Sequence, residues 1–295
     1  MIREKLPTKI IRVLVPLIIY IAVTFVSALS FSILLSLLSS ALVLYGFSGI
    51  SEPDIIMLVN SASALVVSVI LWILYNNDKK LRVVIEDSDA LTDGDDTVKE
   101  KGLLILCGLL VCIFGNYLIN LLPVLQMSES FQEVNDAISN SNIIVALVST
   151  IVVAPISEEL LIRGLFFRRL RDYNGFIVSA LISSAVFGVI HMNIVQGVYA
   201  FVAGMAFAFI YERYQSVKAS MICHAAANAG SFLLGILFLV TGESRIALIL
   251  VMAVSLLLLI AVLRLIYIKV PYRKIVYIRN ITGNDNTNNA EETIP

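Results

Sequence analysis

Two adjacent glutamates, two histidines, an arginine and an asparagine are the residues of this chain best suited to acid–base chemistry on a bound water. All lie in apolar stretches. They fall in three short patterns: Glu158-Glu159-x-x-x-Arg163, Phe187-x-x-x-His191 and His224-x-x-x-Asn228. The chain has only 2 histidines, and both belong to these patterns. Ionisable groups inside a membrane are costly to place and usually serve function. A carboxylate can take a proton from water, and imidazole and amide N–H groups can stabilise the oxyanion formed when that water attacks a carbonyl. The chemistry indicated is hydrolysis within the bilayer.

On a helix, Glu159 and Arg163 are four residues apart and share a face. The guanidinium can therefore hold one carboxylate ionised in poorly solvated surroundings. Glu158 lies about a quarter-turn away with no obvious cation, which suits a general base or acid. His224 and Asn228 also share a face, and Ala225, Ala226, Ala227, Ala229 and Gly230 let a neighbouring helix approach closely. Taken singly, each pattern also fits a plain structural role: a salt-bridged helix end, a packing histidine, a polar clamp between helices. No serine or cysteine sits in a nucleophile's motif. Cys107, Cys112 and Cys223 are odd in number and lie in apolar runs, so they read as small buried hydrophobes and not as a disulfide framework.

These residues must be positioned by membrane helices. Hydrophobic residues make up 59% of the 295, with a mean hydropathy of +0.92, well above the ~45–50% apolar usage of a soluble domain. The net charge of −1 argues against a general pull toward nucleic acid. A spanning helix needs about 20 mostly apolar residues. Eight segments meet that need: 13–44, 54–75, 102–122, 142–162, 176–193, 195–212, 217–240 and 246–268. The fourth continues as an amphipathic helix to about Arg171. The expected fold is an all-α polytopic membrane bundle. With both termini in the cytoplasm, every one of the 21 Lys and Arg residues except Arg245 falls on the cytoplasmic side, as the positive-inside rule requires. The first apolar run is too long for a signal-peptide core and reads as an uncleaved helix.

The expected organisation is 1–141 for the N-terminal helices and loops, 142–240 for a catalytic helical core, 241–279 for the last helix with its basic flank, and 280–295 for a disordered polar tail. The acidic stretch from Glu86 to Asp96 lacks the ligand spacing of an EF-hand calcium loop. Residues 123–141 form an external polar loop with room for a short surface helix.

The fourth and fifth helices should form a hairpin turning near Asn174-Gly175. Reflecting Glu158 through that turn lands on His191, so the two should share a depth. His224 lies about eight residues past the turn near Ser216, roughly 12 Å along its helix at ~1.5 Å per residue. The three patterns can then meet below the cytoplasmic face. Simple topology instead puts His191 near the outer surface. Either the fifth helix is staggered, or its turn into the sixth is sunk in the protein, burying Asn193 and Gln196 near a wet cavity.

The ordered set E-E-x-x-x-R, F-x-x-x-H and H-x-x-x-N on successive membrane helices resembles the CPBP intramembrane proteases. These include the CAAX prenyl endopeptidases and the Abi proteins of bacteriocin processing and immunity. The resemblance covers about residues 142–240. It implies an endopeptidase acting on a membrane-associated peptide or protein in the bilayer of a bacterial plasma membrane. Glu158 would be the general base on water, with His191 positioning that water. His224 and Asn228 would stabilise the oxyanion, and Glu159 and Arg163 would brace the site.

The family has been described both as metalloproteases and as metal-independent glutamate proteases. Glu158, His191 and His224 could hold a single divalent metal such as zinc, with Glu159 then serving as base. The H-E-x-x-H helix of familiar zinc proteases is absent, and the reading adopted has no tightly bound metal. A non-catalytic immunity or scaffold protein is the main alternative, and a transporter a more distant one.

Overall fold

In the computed structural model the described residues are 5–84, 98–122, 129–241, 244–270 and 275–277. The acidic stretch 86–96 and the polar tail 280–295 lie outside them. The described chain is a helical bundle with one short antiparallel ladder.

Helix α1 spans Leu6–Leu44, α2 Glu52–Lys80 and α3 Val98–Asn120. The short amphipathic helix α4, Glu129–Asn140, occupies the expected surface loop. Next come α5 (Ile143–Arg171), α6 (Phe176–Val189), α7 (Ile194–Tyr214), α8 (Val217–Thr241) and α9 (Arg245–Lys269). Strands β1 (Arg82–Val84) and β2 (Ile275–Tyr277) pair in register Val83 to Val276.

All eight apolar segments are helices. Among the described residues, six are long and apolar enough to cross a membrane: α1, α2, the Lys101–Asn120 part of α3, α5, α7 and α9. α8 has the length, 25 residues. The exception is α6. Its 14 residues rise only about 21 Å, some 9 Å short of a ~30 Å hydrocarbon core. The expected fifth span over 176–193 is therefore corrected to a partial one ending at Val189. The turn into α7 is not sunk in the protein: Val189, Met192 and Ile194 are exposed, and Asn193 is the buried polar residue there.

Local sequence explains the helix ends. Ser51 caps α2, its hydroxyl accepting from the Asp54 N–H. Glu52 and Asp54 sit in the first turn and Lys79 and Lys80 in the last, each complementing the helix dipole. Asn142 caps α5 and Asn193 caps α7. In the turn between α6 and α7, Met192 takes a left-handed φ of 57°, which ends one helix sharply before Asn193 opens the next.

Ion pairs gather the basic segments at one end of the bundle. Arg12 of α1 meets Asp172 at 2.8 Å and Asp78 of α2 at 3.6 Å. Arg169 of α5 meets Asp78 at 3.2 Å. Arg171 grips Glu212 of α7 through Nη2 at 2.7 Å and Nε at 3.0 Å. Arg213 donates to the Tyr267 and Val270 carbonyls at the end of α9. At the opposite end, Asp54 accepts from the Asn142 N–H at 2.6 Å, tying the start of α2 to the start of α5. The partition drawn from the sequence thus has its alternating ends brought together in space.

Candidate active site

The site is built on α5, which is not a uniform α-helix. Val148–Val153 and Leu160–Phe167 are wound with widened i→i+5 turns, and the α-helical turn Ala154–Glu159 lies between them. Pro155 has no N–H to give the carbonyl four residues back, which loosens the ladder just where it widens. Such widened turns are frequent at functional sites. The two glutamates end the middle turn.

Glu159 and Arg163 are both wholly buried and make the expected pair, Oε1 to Nη1 at 3.0 Å. Arg163 also donates through Nη2 to the Gly204 carbonyl of α7 at 3.0 Å. Gly204 permits this approach: a Cβ there would stand 2.9 Å from the Ser184 side chain and 3.2 Å from Nη2. Two aromatic rings cover the guanidinium, with Cζ 4.6 Å from the Phe187 centroid and 5.4 Å from that of Phe207.

His224 of α8 joins both carboxylates. Its Nδ1 lies 2.9 Å from Glu159 Oε1, and its Nε2 lies 3.7 Å from Glu158 Oε2. The quarter-turn between adjacent helical residues separates the glutamates, and the two nitrogens of one imidazole span that separation. Glu159 is therefore a direct partner of the ring as well as of Arg163. Glu158 is the accessible one, with 18% of its side chain exposed against none for Glu159. Its Oε2 is buried and accepts no hydrogen bond.

His191 sits one ring away. Its Nδ1 is 2.7 Å from the Phe187 carbonyl, satisfying an end carbonyl of α6 that lacks a helical donor. Phe187 stands edge-on between the two histidines, 5.0 Å from His191 and 5.7 Å from His224. Asn228 points its amide at the Thr150 carbonyl of α5, 2.7 Å away. His224 thus meets both Glu158 and Glu159, and Glu159 also meets Arg163.

Sequence reasoning missed Phe207, Gly204, Thr150 and Tyr20. Phe207 and Gly204 are ordinary in an apolar helix, and Thr150 contributes only its carbonyl. Tyr20 of α1, half-buried and packed on the core, lies within electrostatic reach of Glu158. No sequence signal marked these four.

Asn193 is buried and Gln196 partly so, and they satisfy each other: Asn193 Nδ2 donates to Gln196 Oε1 at 2.6 Å, and the Gln196 N–H donates to Asn193 Oδ1 at 2.8 Å. Beside them lies an open cavity of about 430 Å³ lined by Gly188, Val189, Met192, Ile194 and Phe201, among others. Its walls are apolar. The wet cavity expected at this turn is corrected accordingly, because Asn193 spends its amide on Gln196 and its carbonyl oxygen on the cap.

The proposed metal ligands Glu158, His191 and His224 do not gather as a set. Among the described residues, no three His, Cys, Asp or Glu side chains form a group that could hold a metal ion. The three cysteines are free and buried, as expected.

The family described as Type II CAAX prenyl endopeptidase Rce1-like matches residues 140–230, the stretch that carries all three motifs. Residues 140–230 are thus similar to that family over the segment in which the CPBP-type motifs lie. A curated Bacillus subtilis (strain 168) protein named "Putative membrane peptidase YdiL" is 30% identical over 101 residues, 34% of this chain. The match spans 41% of that relative, under half its length. No solved structure matches the chain. The matched segment lies in a multi-pass integral membrane protein, and α1 to α3 and α9 fall outside it.

Proposed function

We propose that the protein is an intramembrane endopeptidase that hydrolyses a peptide bond of a membrane-associated substrate with a water activated by Glu158. The observation carrying this reading is the convergence of two glutamates on the two nitrogens of His224.

Hydrogen-bond logic assigns the roles. Glu159 Oε1 accepts from His224 Nδ1 at 2.9 Å, so the ring can also donate through Nε2 only when both nitrogens carry a proton. Glu159 fixes the ring through Nδ1, and Arg163 fixes Glu159.

A water about 2.8 Å from Glu158 Oε2 can also reach His224 Nε2, since these atoms are only 3.7 Å apart. Glu158 takes a proton from that water. The hydroxide forms a C–O bond to the substrate carbonyl, whose π electrons move to oxygen. His224 Nε2–H and the second N–H of Asn228 stabilise the oxyanion, each worth roughly 3–4 kcal/mol in such sites. Glu158 then returns the proton to the leaving nitrogen as the C–N bond breaks. His191, with Nδ1–H on the Phe187 carbonyl, keeps Nε2 as an acceptor that orients the water.

No step runs through a metal, because the candidate ligands do not converge. The relative's printed name and the matched family support a peptide substrate held at the membrane. Prenylation of that substrate is a finer matter. The test compares membrane peptides from cells carrying the wild type and Glu158→Ala. Peptides that accumulate uncut only in the variant support the proposal. An unchanged peptide set, with the phenotype retained, points to the scaffold alternative.

A further inference from the structure

Phe207 belongs to none of the three motifs, yet its ring lies almost parallel to His224, with centroids 4.8 Å apart and planes at 24°. It is about 1% exposed and sits on α7, three residues beyond Gly204. Residues at that spacing share a helix face, so one face of α7 supplies both the carbonyl that holds Arg163 and the ring that covers His224. Phe187 meets the same imidazole edge-on, at 82°.

An imidazole held by one hydrogen bond can still rotate about it. The Nδ1 contact to Glu159 leaves the ring free to swing Nε2 away from Glu158, which is beyond hydrogen-bond range and applies no restraint. A flat ring packed face-to-face removes that freedom, since a tilt of the imidazole breaks the stack on one side and collides on the other. Offset-stacked pairs are favoured beyond simple burial, and the Phe207 face also lies toward the Arg163 cation, an attractive arrangement.

We infer that Phe207 is a positioning residue for the hydrolytic reaction: it sets the plane of His224 so that Nδ1 stays on Glu159 and Nε2 faces Glu158. This rests on the catalytic reading above for its consequence, though not for its structural content.

The chain's 2 histidines make the test clean. Histidine labelled with ¹⁵N and ¹³C is incorporated into the full-length protein in lipid nanodiscs, and His191→Gln assigns the His224 signals. In the wild type, His224 should give one narrow set of imidazole resonances with Nδ1 protonated. Phe207→Leu should broaden or split that set, and Phe207→Tyr should restore it. On a cleaved peptide, Phe207→Leu should lower kcat on the order of tenfold to a hundredfold, the cost of a misplaced catalytic group, with KM unchanged, and Phe207→Tyr should recover most of it.

Identical His224 signals in wild type and Phe207→Leu would overturn the inference. So would loss of fold in both Phe207→Leu and Phe207→Met, since the ring would then serve packing alone. Should Glu158→Ala leave every peptide unchanged while the His224 signals still respond to Phe207, the catalytic reading fails and the positioning contact stands.

Discussion

Neighbouring glutamates in this site should respond in opposite ways to the same conservative change. Glu159→Gln keeps the shape of a wholly buried side chain and removes its charge. That leaves the Arg163 guanidinium, also wholly buried, with the Gly204 carbonyl and two aromatic faces as its company, and takes the anionic partner from His224 Nδ1. Breaking a buried pair by removing one partner costs about 3–5 kcal/mol, which is on the order of 10 °C in melting temperature. Glu158→Gln strands no cation in this way: the carboxylate is 3.7 Å from His224, partly exposed, and has no hydrogen bond at Oε2. Its stability cost should stay within about 1 kcal/mol, while peptide cleavage falls at least about a hundredfold, the usual range for a lost general base. Thermal unfolding of the purified proteins in one detergent, read beside single-turnover cleavage, measures both. Adding Arg163→Met to Glu159→Gln should return part of the lost stability, because no buried charge is then left alone. Equal melting shifts for the two single variants would refute the assignment of structure to Glu159 and chemistry to Glu158.

Gly188→Ala would place a Cβ 2.6 Å from the Gly197 carbonyl oxygen; it should cost about 1–3 kcal/mol by overpacking and lower cleavage by moving the His191 turn, both read from unfolding and cleavage assays. Asn228→Ala should slow cleavage about a hundredfold to a thousandfold through loss of an oxyanion donor, and lose only about 1 kcal/mol with the Thr150 bond. An impermeant maleimide should label Asn140→Cys on intact cells and Lys218→Cys only in opened ones. The three native cysteines are buried, so they should add little background.

The sequence alone determined the membrane class, the position of each apolar helix and the identity of the ionisable residues, because hydropathy and helical spacing are local properties. The i,i+4 pairing of Glu159 with Arg163 follows from spacing on one helix and was legible in advance.

Only the tertiary structure showed that the two glutamates approach the two nitrogens of one imidazole. Helical geometry turns Glu158 and Glu159 apart, and the ring that bridges them comes from α8, 65 residues on from Glu159. The partners of Asn228 and Arg163 are backbone carbonyls of Thr150 and Gly204, groups that every residue carries and no residue type signals. Phe207 is one apolar residue of an apolar helix until α7 packs beside α8. α6 stops at Val189 because the chain reverses at Met192, and pattern reading extended the helix past that reversal. Contacts between helices depend on their rotation and relative depth, and a one-dimensional pattern fixes neither to within the few ångströms that a hydrogen bond requires.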